Sequence, residues 1–184
     1  MRRRIEVRGI VQGVGFRPWV HQLAKARGLH GFVRNSPSGV TIEIEGPLSS
    51  QESFLEALRS GQPAIADIDE ILDSAIASTG ETGFWIQDSE DGSSGFALVP
   101  PDIATCPDCL AEFREPSNRR YGYPFTNCTH CGPRYTIILD IPYDRRFTTM
   151  AASPCARTAR PSITTLATAV FMRNPTPAPC AALG

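Results

Sequence analysis

Residues 3–11 alternate, with Ile5, Val7, Gly9 and Val11 on one side and Arg4, Glu6 and Arg8 on the other. That period of two predicts a half-buried strand. In residues 17–28 the period lengthens: Trp19, Val20, Leu23, Ala24 and Arg27 recur at helical spacing, and Gly28 stops the helix. Phe32-Val33 opens a second strand, and Asn35-Ser36-Pro37-Ser38-Gly39 reads as a turn. Val40, Ile42 and Ile44 then alternate with Thr41, Glu43 and Glu45 in a third strand, which Gly46-Pro47 breaks. Ser49 or Ser50 is expected to cap a second helix carrying Phe54, Leu55 and Leu58, ended by Gly61-Gln62-Pro63. Extended segments near 66–77 and 83–88 follow. The order is βαββαβ with one ambiguous extra extended piece. Two helices on one face of an antiparallel sheet make an α+β, ferredoxin-like sandwich.

The pattern then fails. Residues 89–97 are rich in Ser, Gly and acidic residues and read as a linker. A cysteine-bearing stretch follows, and after residue 151 neither period survives. We expect four parts: a folded domain at 1–92, a linker at 93–104, a cysteine module at 105–150 and an unstructured tail at 151–184. The chain of 184 residues has room for two small domains. Its formal net charge of −1 supplies no global field that would favour nucleic acid. No apolar run is long enough to cross a bilayer. The basic start, Met1-Arg2-Arg3-Arg4, is followed by alternation rather than by an apolar stretch with a cleavage site, so the expectation is a cytoplasmic protein.

Candidate chemistry sits first at the junction of strand and helix, Val11-Gln12-Gly13-Val14-Gly15-Phe16-Arg17. Two glycines allow the backbone to curl so that successive N–H groups point inward. Such a nest at a helix N-terminus binds an oxyanion. Arg17 closes the loop, and its planar fork can grip two phosphate oxygens. No Lys-Ser/Thr follows the glycines, which sets the loop apart from a nucleotide P-loop. Alone, the pattern also fits a tight turn with a surface arginine. His21, one helical turn past Arg17, is expected at most to support the loop. His30 is read as a surface residue at a helix end. Neither is given a catalytic role.

The runs Gly9 to Arg17, Gly31-Phe32-Val33-Arg34-Asn35 and Gly39-Val40 together resemble the acylphosphatase family. The resemblance implies a βαββαβ fold, with the backbone amides of Gln12, Gly13, Val14, Gly15, Phe16 and Arg17 holding a phosphate and Arg17 neutralising it. It also implies that Asn35 positions the attacking water and that the substrate's own phosphate takes the proton. An acyl phosphate carries a good leaving group, so positioning and charge stabilisation suffice.

All six cysteines lie after residue 105. Cys106-Pro107-Asp108-Cys109 and Cys128-Thr129-His130-Cys131 are two Cys-x-x-Cys knuckles with eighteen residues between them. Two knuckles present four thiolates to one tetrahedral ion, so Cys106, Cys109, Cys128 and Cys131 are read as a structural zinc site. His130 is a spare donor next to a complete set and is left out. Arg119-Arg120-Tyr121 between the knuckles could serve nucleic acid. The neutral overall charge favours a packed hairpin with solvated arginines, so no nucleic-acid partner is expected.

Arg119-Arg120-Tyr121, Asn127 to Tyr135 and Pro142-Tyr143-Asp144-Arg145, placed after an acylphosphatase-like domain, resemble the N-terminal region of the hydrogenase maturation carbamoyltransferases. The resemblance covers residues 1 to about 150. It implies carbamoyl phosphate as substrate and hydrogenase maturation proteins as partners. It also implies later ATP-dependent steps toward the cyanide ligands of a nickel–iron site, in domains beyond this chain. Two other readings stay open: a free-standing acylphosphatase with a zinc docking module, and a non-catalytic zinc-ribbon binding module.

That family carries a second zinc module next, and the tail looks like one read out of frame. Shifted codons can turn Ala156, Ala159, Ala178 and Ala181 into cysteines, each fifty residues after a cysteine of the first module. Ala182-Leu183 can likewise become Gly-Pro, the counterpart of Gly132-Pro133. On this reading Cys155 and Cys180 are incidental. The alternative is a genuine disordered tail.

Overall fold

The structure, a computed structural model, describes residues 1–90, 98, 103–124, 126, 128, 131, 135–141 and 147–151. The expected tail from 152 onward, with Cys155 and Cys180, lies outside the described residues, as do His130 and residues 142–146.

The elements of the first domain are β1 (Arg2–Ile10), α1 (Phe16–Ala26), β2 (His30–Ser36), β3 (Gly39–Glu45), α2 (Leu48–Ser60), β4 (Asp67–Ile76) and β5 (Phe84–Ile86). The strands form one sheet in the order β4-β1-β3-β2-β5. β1 runs antiparallel to β3 and β4, as β3 does to β2, so the alternation of each strand places its apolar side chains on one face. Ile5, Val7, Val33, Val40, Ile42 and Ile44 from the sheet meet Val20 and Ala24 of α1 and Phe54, Leu55 and Leu58 of α2 in a single core. Both extended segments expected after α2 are strands. The sheet is mixed rather than antiparallel, because β5 returns beside β2 in the parallel sense, with Gly31 opposite Phe84 and Val33 opposite Ile86.

The two helices are closed in different ways. Gly28, at φ 62°, follows the C-cap Arg27, and the Leu29 N–H reaches back to the Ala24 carbonyl at 3.0 Å. A left-handed glycine after a helix end does this. The second helix starts earlier than Ser49 or Ser50. Pro47 is its N-cap and no side chain caps it. Proline already holds the φ of −60° that the entry needs, so the serines fall inside the first turn. There Gln51 is fully buried and donates to the carbonyls of Met1 and Gly46, both at 2.9 Å.

The sheet face opposite the helices is tied by charge. Arg2, almost wholly buried, contacts Glu43, Glu45, Glu81 and Thr79, which clips the segment after β4 to β1 and β3. Burial alone would push the Glu43 carboxyl up. Hydrogen bonds from Arg4 and Arg2 outweigh it and hold the group below the usual carboxylate range.

The described part of the cysteine module contains α3 (Pro107–Arg114), a 3-10 turn at Tyr135–Ile137 and an isolated bridge between Ile138 and Thr148.

Candidate functional sites

The loop from Val11 to Arg17 alternates between anchors and access. Gln12, Val14 and Phe16 are buried, while Gly13, Gly15 and Arg17 are half-exposed. Gly13 and Gly15 have φ of 74° and 76°, left-handed values that a residue with a Cβ adopts only at a cost. Those two turns of the backbone make the concave path of a nest. Gly15 is also the N-cap of α1, with its carbonyl accepting the Trp19 N–H at 3.1 Å. Nothing acidic stands in the first turn, so the positive end of the helix faces the loop uncompensated. Arg17 is the second residue of that helix, and the rigid first turn sets where its guanidinium can reach.

Asn35 does not lie in a turn. The hairpin turn is only Pro37-Ser38, so Ser36 pairs with Gly39 and Asn35 with Val40, inside the ladder. Asn35 is fully buried, and its carbonyl accepts the Glu90 N–H at 2.9 Å. Gly39 must be glycine for a steric reason. A Cβ there would stand 2.1 Å from the Val7 carbonyl oxygen, so β3 could not start so close to β1.

One side chain joins the loop to this hairpin. The Gln12 amide Nε2 donates to the carbonyl of Ser36 at 2.8 Å and to that of Gly39 at 2.8 Å. The family resemblance gives Gln12 a role through its backbone alone. A polar side chain between an apolar strand end and two glycines was the available signal, but it named no partner.

The histidines serve the fifth strand. His21 is buried with its ring edge toward Phe84, at 6.1 Å between centroids. Burial first, then the Lys25 charge, pushes its pKa down, against a hydrogen bond with the Phe84 backbone. It therefore supports β5 rather than the loop. His30 is the first residue of β2, not a helix-end surface group, and its Nδ1 accepts the Gly83 N–H at 2.8 Å.

In the cysteine module, Cys106 is the N-cap of α3 and Cys109 lies in its first turn, so one helix start aims both sulfurs at one point. Cys128 and Cys131 face them. The four Sγ atoms all lie within 4.8 Å of one another, with Cys106–Cys128 at 3.5 Å and Cys128–Cys131 and Cys131–Cys109 at 3.9 Å. Thiolates held tetrahedrally at about 2.3 Å from zinc are about 3.8 Å apart, so the donor set fits a metal. Without an ion, burial pushes the Cys109 thiol far above its ordinary value. A bound cation would reverse that preference. Arg120 is not the solvated arginine expected of a packed hairpin. It is buried, and its guanidinium reaches Glu112 of α3 at 3.1 Å.

Comparison with known proteins finds matches to two families. The acylphosphatase family pattern matches residues 3–86 and the HypF finger pattern residues 105–138. An acylphosphatase from Azorhizobium caulinodans is 47% identical over 83 residues, spanning 44% of this chain and 87% of its own length. The carbamoyltransferase HypF of Rhodobacter capsulatus is 53% identical over 150 residues, 80% of this chain and 20% of that protein. HypF2 of Cupriavidus necator is 47% identical over 159 residues, 85% of this chain and again 20% of that protein. The present chain therefore spans about a fifth of the length of these carbamoyltransferases. A crystal structure of full-length HypF in its phosphate- and nucleotide-bound form superposes with a TM-score of 0.85 at 41% identity, covering 96% of this chain and 23% of that one. The chain belongs to the acylphosphatase family, and its acylphosphatase domain followed by a HypF finger corresponds to the N-terminal region of the HypF carbamoyltransferases.

Proposed function

We propose that residues 1–92 hydrolyse an acyl phosphate, carbamoyl phosphate foremost, and that residues 105–150 are a zinc-stabilised module attached to that domain. The observation that carries the reading is the loop itself: left-handed Gly13 and Gly15 at the N-terminus of α1, with Arg17 in its first turn. The backbone amides of Gln12 to Arg17 hold the phosphate. Arg17 grips two of its oxygens and offsets their charge, as it does the charge that grows in the transition state. Asn35 holds the attacking water; an amide cannot take its proton, so the substrate phosphate does. The acyl–phosphate bond breaks, the carboxylate leaves, and inorganic phosphate remains in the cradle.

The relatives support the choice of carbamoyl phosphate. They are carbamoyltransferases, and a solved HypF is described as phosphate- and nucleotide-bound. We carry the phosphate to this cradle, and we assign the nucleotide-dependent steps to the four fifths of such proteins that this chain does not span. Cys106, Cys109, Cys128 and Cys131 hold one zinc, a closed site that orders its module and takes no part in hydrolysis. The tail from 151 is read as a frame-shifted second module. Support comes from the shifted cysteines themselves, each fifty residues after a cysteine of the first module. The coding DNA over codons 148–184 decides it: wobble bases that do not spell the four shifted cysteines would end the idea.

For the enzyme, Arg17→Ala is expected to reduce carbamoyl phosphate turnover by roughly a thousandfold and to weaken inhibition by inorganic phosphate. Arg17→Lys should recover little, because a point charge lacks the fork. Turnover at the wild-type rate in Arg17→Ala would remove the assignment.

A further inference from the structure

Two elements of the proposed active site come from distant stretches of chain. The cradle is built at the start of α1. Asn35 lies near the end of β2, beside a hairpin whose turn is Pro37-Ser38. Neighbouring strands hold the base of that hairpin, but Ser36 and Gly39 form its last pair. Beyond Val7↔Val40, β3 has no further paired register with β1. At that point the Gln12 side chain intervenes. It is 2% exposed, and its Nε2 spends its donors on the two carbonyls that close the hairpin, Ser36 and Gly39, each at 2.8 Å. One carbonyl belongs to the residue after Asn35, and the other to the residue before its ladder partner Val40.

From this arrangement we infer that Gln12 is a positioning residue. Its backbone belongs to the phosphate cradle, and its side-chain amide sets the separation between that cradle and Asn35. The role rests on the acyl-phosphatase reading above, and it assigns Gln12 a function in the chemical step that its backbone does not supply. The cradle has anchors of its own. Val14 and Phe16 are buried in the core, and Gly15 is tied to Trp19 through the helix. Loss of the Gln12 amide should therefore move Asn35 relative to the phosphate more than it disturbs phosphate binding. Misplacement of a reacting group by about 1 Å is enough to cost on the order of a hundredfold in rate.

The test is a double-mutant cycle in the full chain with Gln12→Met and Asn35→Ala. Methionine keeps the volume and removes the donor. Gln12→Met is expected to lower kcat roughly 10- to 100-fold. It should leave the inhibition constant of inorganic phosphate within about threefold, and cause little further loss when Asn35 is already alanine. Gln12→Glu provides a second handle that does not depend on the methionine variant folding. Its carboxyl can donate only when protonated, so kcat relative to wild type should rise as the pH falls. Equal losses from Gln12→Met in both backgrounds, or a loss confined to phosphate affinity, would overturn the positioning role alone. Unchanged turnover in the single variant Asn35→Ala would overturn the site assignment and the role together.

Discussion

The two folded regions of this chain are held by different physics. In the first domain seventeen buried apolar residues form a continuous core between sheet and helices. In the second, the buried cluster among the described residues is Cys109, Cys128 and Cys131, with Cys106 packed against it. Burial of apolar surface stabilises at about 25 cal/mol per Å², and among the described residues the first region holds far more of it. A stretch of this size rarely draws more than a few kcal/mol from a hydrophobic core, and metals commonly make up the difference. A region with a core of its own needs no metal to fold, while a region whose buried cluster is four sulfurs is expected to depend on a bound ion for its order.

The sharpest way to break this contrast is to remove the metal. The chain is expected to carry one zinc, and Cys109→Ser, or a strong chelator, should release it. Amide protection across the described residues 103–124 should then collapse, while acyl phosphate hydrolysis stays within about twofold of wild type. Metal analysis, hydrogen exchange and a turnover assay report the three quantities. Zinc-free protein with an ordered second region, or a hydrolase that dies with the metal, would show that the regions are not independent.

The converse perturbation strikes the first core. Phe54 is fully buried against the sheet, and Phe54→Ala should cost about 3–5 kcal/mol of first-domain stability through lost burial and the cavity left behind. Denaturant unfolding followed at this domain should show the loss, with zinc content unchanged.

The smallest expected effect sharpens the account of the charged sheet face. Glu43 is held below its ordinary pKa in the folded state, so its ion pairs stabilise fully above the unfolded value. That contribution is lost as pH falls from the ordinary glutamate range, about 4.3, through the lower folded value. Glu43→Gln should cost about 1–3 kcal/mol at neutral pH and flatten the acid limb of the stability profile. An unchanged acid limb would show that Arg2 and Arg4 contribute nothing through this carboxylate.

Some of this was legible without a structure, for reasons that lie within short windows of chain. Alternation of Ile5 and Val7, then of Val40, Ile42 and Ile44, marks strands because side chains on a strand point to opposite faces. The Gly13–Gly15 spacing ahead of Arg17 marks a tightly turned strand-to-helix loop, since glycine alone takes left-handed backbone cheaply. The Cys-x-x-Cys spacing announces a metal site because two sulfurs three residues apart can reach one ion. Each depends on neighbours within a few positions. What the tertiary structure alone decided depends on partners far apart in sequence. Asn35 sits in a ladder because the hairpin closes on two residues, and β5 is a strand because β2 offers it a parallel edge. Arg120 is buried because Glu112 waits on α3. Gln12 reaches Ser36 and Gly39, twenty-four and twenty-seven residues away. A hydrogen bond or ion pair satisfies a buried polar group only at contact distance. Which distant group arrives at that distance is settled by the packing of the whole sheet, and no local pattern of residues encodes it.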